Sequence, residues 1–284
     1  MPDLALKVDV DTFRGMKEGV PAIAQVLDDY GLKASFFISF GPDRSGLAVL
    51  QLLRPSFLRK MIRTNAPGLY GWKTALYGTL LRAPMIGIDF PERTQDLIKA
   101  GHEVACHAWD HRLWQDWLPY MSTVRLRRWF THMIDAYTSL TGKAPASFGA
   151  PGWRMDTRVL HLTKEFGFQY LSCTRAQRPF IFAENDLMEI PSNLPCIEEV
   201  GIQGVKEALT LCSDSTWPSV LPVHAEVEGG MYLHGFSDVL SHAISLGYSF
   251  HTVHDIATNI EISGLPFRRL RTGIIKGRGF PCAI

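Results

Sequence analysis

The chain has 284 residues, of which 46% are hydrophobic and 20% charged, the composition of an ordinary globular protein with a sizeable core. Its formal net charge of +1 disfavours nucleic acid as a partner. The five cysteines show no C-x-x-C spacing, which disfavours a disulfide framework and a thiolate zinc site.

The predicted elements alternate between strand and helix along the chain. Short apolar, β-branched runs predict strands at residues 4–10, 33–39, 103–106, 220–224 and 248–252. Most predicted helices begin at a proline or are followed by a glycine, and they cover residues 19–30, 91–100, 120–140, 156–166 and 237–246. Such alternation is typical of parallel strands joined by crossover helices, so we predict an α/β fold.

Two segments break this alternation. Residues 47–90 are too long for an ordinary connection, which indicates a functional insertion. The tail from residue 266 is expected to be poorly packed. We therefore predict one domain over residues 1–261, with the insertion at 47–90, followed by a basic C-terminal tail at 262–284.

Two motifs place metal-binding residue types at the ends of predicted strands. Asp9 and Asp11 end the first strand, where side chains two residues apart point to the same face. His107 and His111 follow the third strand, and their i, i+4 spacing lets two imidazoles on one helical turn bind one metal. Each pair alone also fits turn aspartates or unrelated histidines. One carboxylate with both histidines would bind a divalent metal and leave open positions for water and substrate.

Further residues near these motifs could take part in catalysis. His224 ends the late strand and could protonate a leaving amine, although a core histidine fits the pattern as well. Arg154 could hold and acidify a carboxylate such as Asp9, or be an ordinary surface arginine. Trp109 and Trp153 flank the motifs and could form a wall for a sugar ring, or belong to the core.

In this order, the motifs resemble those of the NodB-type polysaccharide deacetylases, carbohydrate esterase family 4. The resemblance covers residues 4–255: Asp-x-Asp in the first strand, H-x-x-x-H after the third, a Pro-Gly-Trp-Arg loop and a late strand ending in histidine. It implies a distorted (β/α)7 barrel and one bound divalent metal, zinc, with manganese or cobalt as alternatives. The roles that it implies are Asp9 as base, His224 as acid, and as metal ligands Asp11, His107 and His111.

The chain departs from the family pattern around His224. Residues 172–174, Ser-Cys-Thr, stand where the family has an aspartate, so the group that orients His224 is not identified. Glu226 and Glu228 follow this histidine without a role that the pattern explains, and we expect them to be solvated carboxylates.

Within the family, the chain is similar to enzymes that remove a formyl group from an amino sugar carried on undecaprenyl phosphate. The residues that carry this similarity are 8–15, 69–72, 107–111, 152–154 and 224–229. It implies a formamido-arabinose substrate at the cytoplasmic face of the bacterial inner membrane, in the lipid A modification that confers polymyxin resistance. The alternatives are a deacetylase of peptidoglycan or another N-acetyl sugar, and a catalytically inactive membrane-surface binding protein.

The composition of the insertion agrees with a membrane-facing role. A short helix is predicted there with an apolar face and a basic face opposite each other: Phe57, Leu58, Met61 and Ile62 against Arg59, Lys60 and Arg63. Such a helix predicts docking on an anionic membrane surface, and a helix packed on the barrel is the alternative. Because the sequence shows neither a signal peptide nor a spanning segment, we expect peripheral attachment.

Overall fold

A computed structural model of the chain describes residues 1–48, 74–275 and 278–284. Strands and helices alternate, which confirms the predicted α/β class. The strands are β1 (Asp3–Val10), β2 (Ser35–Ile38), β3 (Glu103–Cys106), β4 (Ser147–Phe148), β5 (Tyr170–Leu171), β6 (Phe180–Phe182), β7 (Met188–Glu189), β8 (Ser219–His224), β9 (Ser249–His251), β10 (Phe267–Arg268), β11 (Thr272–Gly273) and β12 (Cys282–Ala283). The α-helices are α1 (Val20–Asp29), α2 (Pro91–Lys99), α3 (His111–Trp117), α4 (Thr123–Thr141), α5 (Thr157–Glu165), α6 (Ile197–Cys212), α7 (Ala225–Glu228), α8 (Leu233–Ser245) and α9 (Val253–Asn259).

The main sheet is built on a run of seven parallel strands in the order β7-β5-β4-β3-β2-β1-β8. Strand β6 pairs antiparallel with β7, β10 continues the sheet beyond it, and β9 pairs with the first residues of β1. Within the described residues, no pairing joins β8 to β10, so the sheet is a strongly curled half-barrel. The carboxyl ends of the parallel strands share one edge of this sheet.

The core lies on both faces of the sheet, as expected where crossover helices cover a parallel sheet. Every residue of β2 is buried, and so is every residue of β1 after Asp3. Two buried positions of β1 are charged residues: Lys7, which is fully buried, and Asp9, which is 3% exposed. A charge in that place needs a partner, because an unpaired buried ammonium is strongly destabilising.

The sequence prediction misses β4 to β7 and the long helix α6. The four strands have two or three residues each, too few to show a period of two. Helix α6 contains Gly201 and Gly204, and glycine inside a helix is unfavourable by about 1 kcal/mol relative to alanine.

The last residues of the chain are part of the fold, so the prediction of a poorly packed tail is wrong for them. Strand β10 pairs with β6, and Cys282 and Ala283 of β12 are buried. Arg278 forms an ion pair with Glu199 and is not available to a lipid surface. Arg271, by contrast, is exposed. The domain boundary after residue 261 stays a prediction.

The predicted amphipathic helix lies outside the described residues. Its apolar and basic positions therefore stay predictions: Phe57, Leu58, Arg59, Lys60, Met61 and Arg63. Among the helices of residues 1–48, 74–275 and 278–284, none combines the length and the apolar character needed to cross a bilayer.

Candidate metal centre and acid–base site

The candidate catalytic residues meet at the carboxyl edge of the sheet. Asp9 and Asp11 stand at the end of β1, His107 follows β3, and His224 is the last residue of β8. Strands β1 and β8 are parallel neighbours in which Asp9 and His224 are paired in register. Parallel strands place such partners on the same face, so the two side chains share one site.

Three side chains form a cluster that could hold a metal ion. One oxygen of Asp11, Oδ1, lies 3.2 Å from His107 Nε2, and the other, Oδ2, lies 3.1 Å from His111 Nε2. The ligand atoms all lie within 4.8 Å of one another. A carboxylate with two imidazoles is a usual donor set for zinc and related divalent metals, and the partial exposure of His111 leaves one side accessible.

The pKa directions of Asp11 and His107 favour the forms that a metal requires. Burial raises the pKa of Asp11, but the nearby charge of His111 and hydrogen bonds with both histidines lower it well below its usual value. Burial also lowers the pKa of His107. An ionised carboxylate and a neutral imidazole are the forms that bind a metal, so the residues fit the implied ion.

The two histidines reach the metal cluster from a loop and a helix start rather than from one helical turn. Ala108 has a φ of 70°, and His111 is the first residue of α3. Asp110 caps that helix by accepting a hydrogen bond from Leu113 N at 2.9 Å. Arg44 in turn binds Asp110 at 2.7 Å. The structure brings both histidines to Asp11, whereas the helical geometry expected for the pair is wrong.

His224 is held by a glutamate that the sequence analysis did not identify. Its Nδ1 lies 3.2 Å from Oε1 of Glu198, in the first turn of α6. Burial alone would lower the pKa of His224, but the charge and hydrogen bond of Glu198 raise it well above its usual value. Burial alone would raise the pKa of Glu198, but the charge and hydrogen bond of His224 lower it to about 2. The pair is therefore an imidazolium and a carboxylate at neutral pH.

Cys196 brings a thiol close to this pair, so its sulfur, Glu198 and His224 could also be taken for a metal cluster. Burial raises the pKa of the Cys196 thiol to about 12, and Arg278 donates a hydrogen bond to its sulfur at 3.1 Å. A neutral thiol beside a protonated imidazole is a poor metal site, since metals bind thiolate and neutral imidazole.

The two carboxylates after His224 are buried, so the prediction that they are solvated is wrong. Glu228 accepts a hydrogen bond from the backbone N–H of His224 at 2.8 Å. Burial and the nearby charge of Glu198 raise the pKa of Glu228 to about 8. Burial and the charge of Asp11 raise the pKa of Glu226 well above its usual value. Both side chains belong to the site.

Glu226 is enclosed because a glycine stands opposite it. A Cβ atom at Gly15 would come within 2.5 Å of Glu226 Oε2, and Thr12 Oγ1 donates to the same oxygen at 3.4 Å. The π-helical turn Gly15–Gly19 packs on α7 through this close approach. The glycines of the two segments were the available sequence signal for this contact.

Lys7 is the partner of Asp9, a role for which the sequence suggested Arg154. The buried Lys7 ammonium forms an ion pair with Asp9 Oδ1 and lies 4.6 Å from the ring centre of Phe37. Asp9 Oδ1 also lies 3.9 Å from His107 Nδ1. A lysine two residues before an aspartate on one strand shares its face, which was a usable signal.

Arg154 does not lie beside Asp9 in the structure. Its guanidinium donates a hydrogen bond to the carbonyl of Gln115 and is 5.1 Å from the ring centre of Phe280. Its own carbonyl accepts a hydrogen bond from Trp114 Nε1 at 3.0 Å. The structure therefore places Arg154 in the packing between α3 and the C-terminal segment, and it does not bring Arg154 to Asp9.

The two predicted sugar-binding tryptophans differ in accessibility. Trp153 is only 2% exposed, and its ring lies 4.7 Å from the guanidinium of Arg175 and 4.4 Å from that of Arg278. Its ring meets His224 edge-on, with the centroids 6.3 Å apart. Trp153 thus packs against the acid group and offers little surface to a sugar. Trp109 is half-buried and lines an open cavity.

Known proteins are similar to this chain along most of its length. The polysaccharide deacetylase family profile matches residues 4–171. A protein of Shewanella sediminis (strain HAW-EB3) is 34% identical over 247 residues, which are 84% of this chain and 81% of the relative. It is named a probable 4-deoxy-4-formamido-L-arabinose-phosphoundecaprenol deformylase ArnD. A protein of Wigglesworthia glossinidia brevipalpis with the same name is 30% identical over 277 residues, 93% of this chain and 96% of the relative.

Solved structures share the fold at lower sequence identity. A protein from Mycobacterium smegmatis assigned to the polysaccharide deacetylases has a TM-score of 0.66 at 17% identity, over 96% of this chain and 94% of that chain. The allantoinase PuuE has a TM-score of 0.63 at 16% identity, over 90% and 89%. These two likenesses concern the fold alone. Because the family profile spans more than half of the chain and the relatives reach 30–34% identity, the chain belongs to the polysaccharide deacetylase family.

Proposed function

We propose that the protein is a metal-dependent amide hydrolase that removes the formyl group from a formamido-arabinose linked to undecaprenyl phosphate. The proposal extends to this chain the activity named for relatives that are 30–34% identical to it. The observation that carries it is the meeting of two groups at one sheet edge: the Asp11–His107–His111 cluster and the His224–Glu198 ion pair. The products are formate and a free amino sugar.

The metal that we propose is a single divalent ion, zinc, with manganese or cobalt as substitutes. Asp11, His107 and His111 would hold it through a carboxylate oxygen and two imidazole nitrogens. When bound, such an ion polarises a carbonyl oxygen and lowers the pKa of water. The donor set supports this assignment, because borderline metals prefer imidazole with carboxylate.

The side chains of the site supply the two proton transfers of amide hydrolysis. Asp9 is the base: it accepts the proton of the attacking water, while its ion pair with Lys7 fixes the carboxylate in place. His224 is the acid: it donates a proton to the amide nitrogen as the C–N bond breaks. An amine leaves poorly as an anion, so this proton is needed for the second half of the reaction.

The contact of His224 with Glu198 determines which nitrogen donates the proton. Because Nδ1 faces Glu198 at 3.2 Å, Nε2 is the atom left to face the substrate. The ion pair keeps the ring protonated at neutral pH before the reaction starts. Glu198 is therefore a positioning residue that acts through His224, in place of the aspartate of the family pattern.

We also propose that the enzyme works as a peripheral protein at the cytoplasmic face of the bacterial inner membrane, in the lipid A modification that confers polymyxin resistance. A polyprenyl tail is too long to be desolvated by the rim of one small domain, so it would stay in the bilayer while the sugar enters the site. The basic and apolar residues predicted at 57–63 support attachment to anionic lipid.

Comparing the acyl groups released from matched substrates tests the proposal. Metal-loaded protein is incubated with the 4-formamido and the 4-acetamido forms of the lipid-linked sugar and with N-acetylated peptidoglycan fragments. We expect formate from the first and little acetate from the other two. Faster release of acetate would establish the deacetylase alternative. Absence of both acids would favour the inactive membrane-binding protein.

A further inference from the structure

A cavity of about 520 Å³ opens beside the loop that carries the two metal-binding histidines. Its charged and aromatic lining comes from three places: Arg44, which follows β2, the H-x-x-x-H loop, and the first turns of α4. Its charged and aromatic lining residues are Arg44, Trp109, Asp110, Arg125, Arg128, Trp129 and His132.

The cavity is adjacent to the metal cluster. Trp109 and Asp110 stand between His107 and His111, so the Cα of Trp109 lies within about 7.6 Å of each histidine Cα, two peptide units away. Helix α4 leads from the carboxyl edge of the sheet back to the start of β4. Its first turns therefore lie at the same edge as the candidate catalytic residues.

The charge of the cavity is positive. Arg125 and Arg128 are exposed, and neither has an acidic partner in the described part of the chain. The one acid of the lining, Asp110, is already occupied by Arg44 at 2.7 Å and by the cap of α3. Two guanidinium groups are thus free to bind an anion.

The cavity also presents ordered aromatic groups. The guanidinium of Arg125 lies 5.3 Å from the ring of Trp129, a contact that restricts the side chain before any ligand binds. Trp109 packs against His132, with the ring centroids 5.2 Å apart. Paired guanidinium groups match the oxygens of a phosphate, and a tryptophan face suits a sugar ring or the first units of a polyprenyl chain.

We propose that this cavity binds the phosphate group that joins the substrate's sugar to its lipid, with Arg125 and Arg128 as the phosphate-binding residues. The inference deepens the proposed function and rests on it. A sugar held by the metal cluster on one side and by its phosphate on the other is fixed in position, which distinguishes a lipid-phosphate-linked sugar from a neutral glycan.

Paired substrates test the proposal. The double variant Arg125→Gln/Arg128→Gln is compared with the wild type on the phosphate-linked formamido sugar, in a short-chain soluble form, and on a phosphate-free alkyl glycoside of that sugar. We expect kcat/KM on the first to fall about tenfold for each arginine, and activity on the second to stay within about twofold. Equal losses on both substrates, or none on either, would overturn the proposal.

Arg127→Gln is the matched control. It removes one arginine charge from the same helix, but Arg127 pairs with Glu165 and does not line the cavity. We expect it to behave as the wild type on both substrates. A loss equal to that of the double variant would show a general charge effect and would contradict a phosphate site.

Two further measurements separate the sources of phosphate and the two proposals. Binding to phosphatidylglycerol vesicles should be equal in wild type and double variant; weaker vesicle binding with normal activity on the soluble substrate would assign the arginines to bulk lipid. Calorimetry with inorganic phosphate should show binding to the wild type and Arg127→Gln but not to the double variant. If the wild type releases no formate at all, the proposed function fails, and equal phosphate binding by all three proteins would overturn the cavity assignment.

Discussion

Glu198 binds His224 at Nδ1, 3.2 Å from a carboxylate oxygen in the first turn of α6. This contact joins a helix that the sequence pattern did not predict to the histidine that ends β8. It gives His224 a proton at neutral pH and leaves Nε2 to deliver it. The acid half of the proposed mechanism depends on this pair.

Replacing Glu198 by glutamine should move the pH dependence of turnover. Glu198 raises the pKa of His224, whereas burial lowers it, so without the charge the ring loses its proton at a lower pH. Activity that requires protonated His224 falls as the pH rises through this pKa. We therefore expect the decline of kcat at high pH to begin at a lower pH in Glu198→Gln, and Glu198→Asp to restore part of the difference.

An activated ester provides the control for this variant. Its leaving group departs without a proton, so Glu198→Gln and His224→Ala should lose much less activity on the ester than on the formamide. Equal losses on ester and formamide would mean that His224 does not serve as the acid.

Metal content tests the ligand assignment. His107→Ala removes one nitrogen of the cluster, and we expect elemental analysis of the purified variant to show far less zinc than the wild type. His161→Ala removes an exposed histidine of α5 and should keep the wild-type content. Equal metal in all three proteins would show that His107 is not a ligand.

Asp9→Asn should retain the metal and lose turnover. Asp9 pairs with Lys7 rather than joining the metal cluster, and a general base contributes about 10²-fold or more to the rate. Metal analysis and kcat are measured on the same preparation. Release of the metal by this variant would exchange the roles of Asp9 and Asp11.

The metal cluster and the acid could be predicted from the sequence because their signals are local. Asp11, His107 and His111 lie within a few residues of predicted strand ends, and His224 ends a predicted strand. Parallel strands bring their carboxyl ends to one edge, so topology alone placed these side chains together. The family resemblance then distinguished Asp9 from Asp11.

The partners of these residues could not be predicted in the same way, because they are long-range contacts. Glu198 reaches His224 from α6, a helix interrupted by glycine, and no spacing in the sequence links the two. The burial of Glu226 depends on the turn at Gly15, which packs over it from the other end of the chain. Lys7 was the exception, since its position on β1 already placed it beside Asp9.

Arg278 should prove necessary for the acid pocket. It pairs with Glu199 at 2.6 Å and lies 4.4 Å from the ring of Trp153, which packs against His224. Because Arg175 still pairs with Glu199, we expect Arg278→Gln to lower the free energy of unfolding by roughly 2–3 kcal/mol.

Urea denaturation and kinetics together measure the effect of Arg278→Gln. Turnover on the formamide should fall more than KM rises, because Trp153, which packs against His224, loses its contact with Arg278. Arg271→Gln, which alters an exposed arginine of the same segment, should match the wild type in both measurements. Losses of stability and turnover equal to those of Arg278→Gln would show that the buried arginine has no special role.

Substitutions in the insertion at residues 47–90 test the proposed attachment to the membrane. Phe57→Ser with Met61→Ser removes two apolar side chains, each worth about 1.5–3 kcal/mol if fully buried in lipid. Co-sedimentation with anionic vesicles and activity on the long-chain substrate should both fall, while activity on a short-chain soluble substrate survives. Normal vesicle binding with activity lost on both substrates would show that these residues stabilise the domain instead.

The most direct test of the central claim is the quantification of both products from one substrate. Zinc-loaded wild-type protein is given the undecaprenyl-phosphate-linked formamido-arabinose, and formate and free amine are measured over time. We expect equal amounts of the two products, formed in a metal-dependent reaction that His224→Ala largely abolishes. Absence of formate, or the same rate of release by His224→Ala, would contradict it.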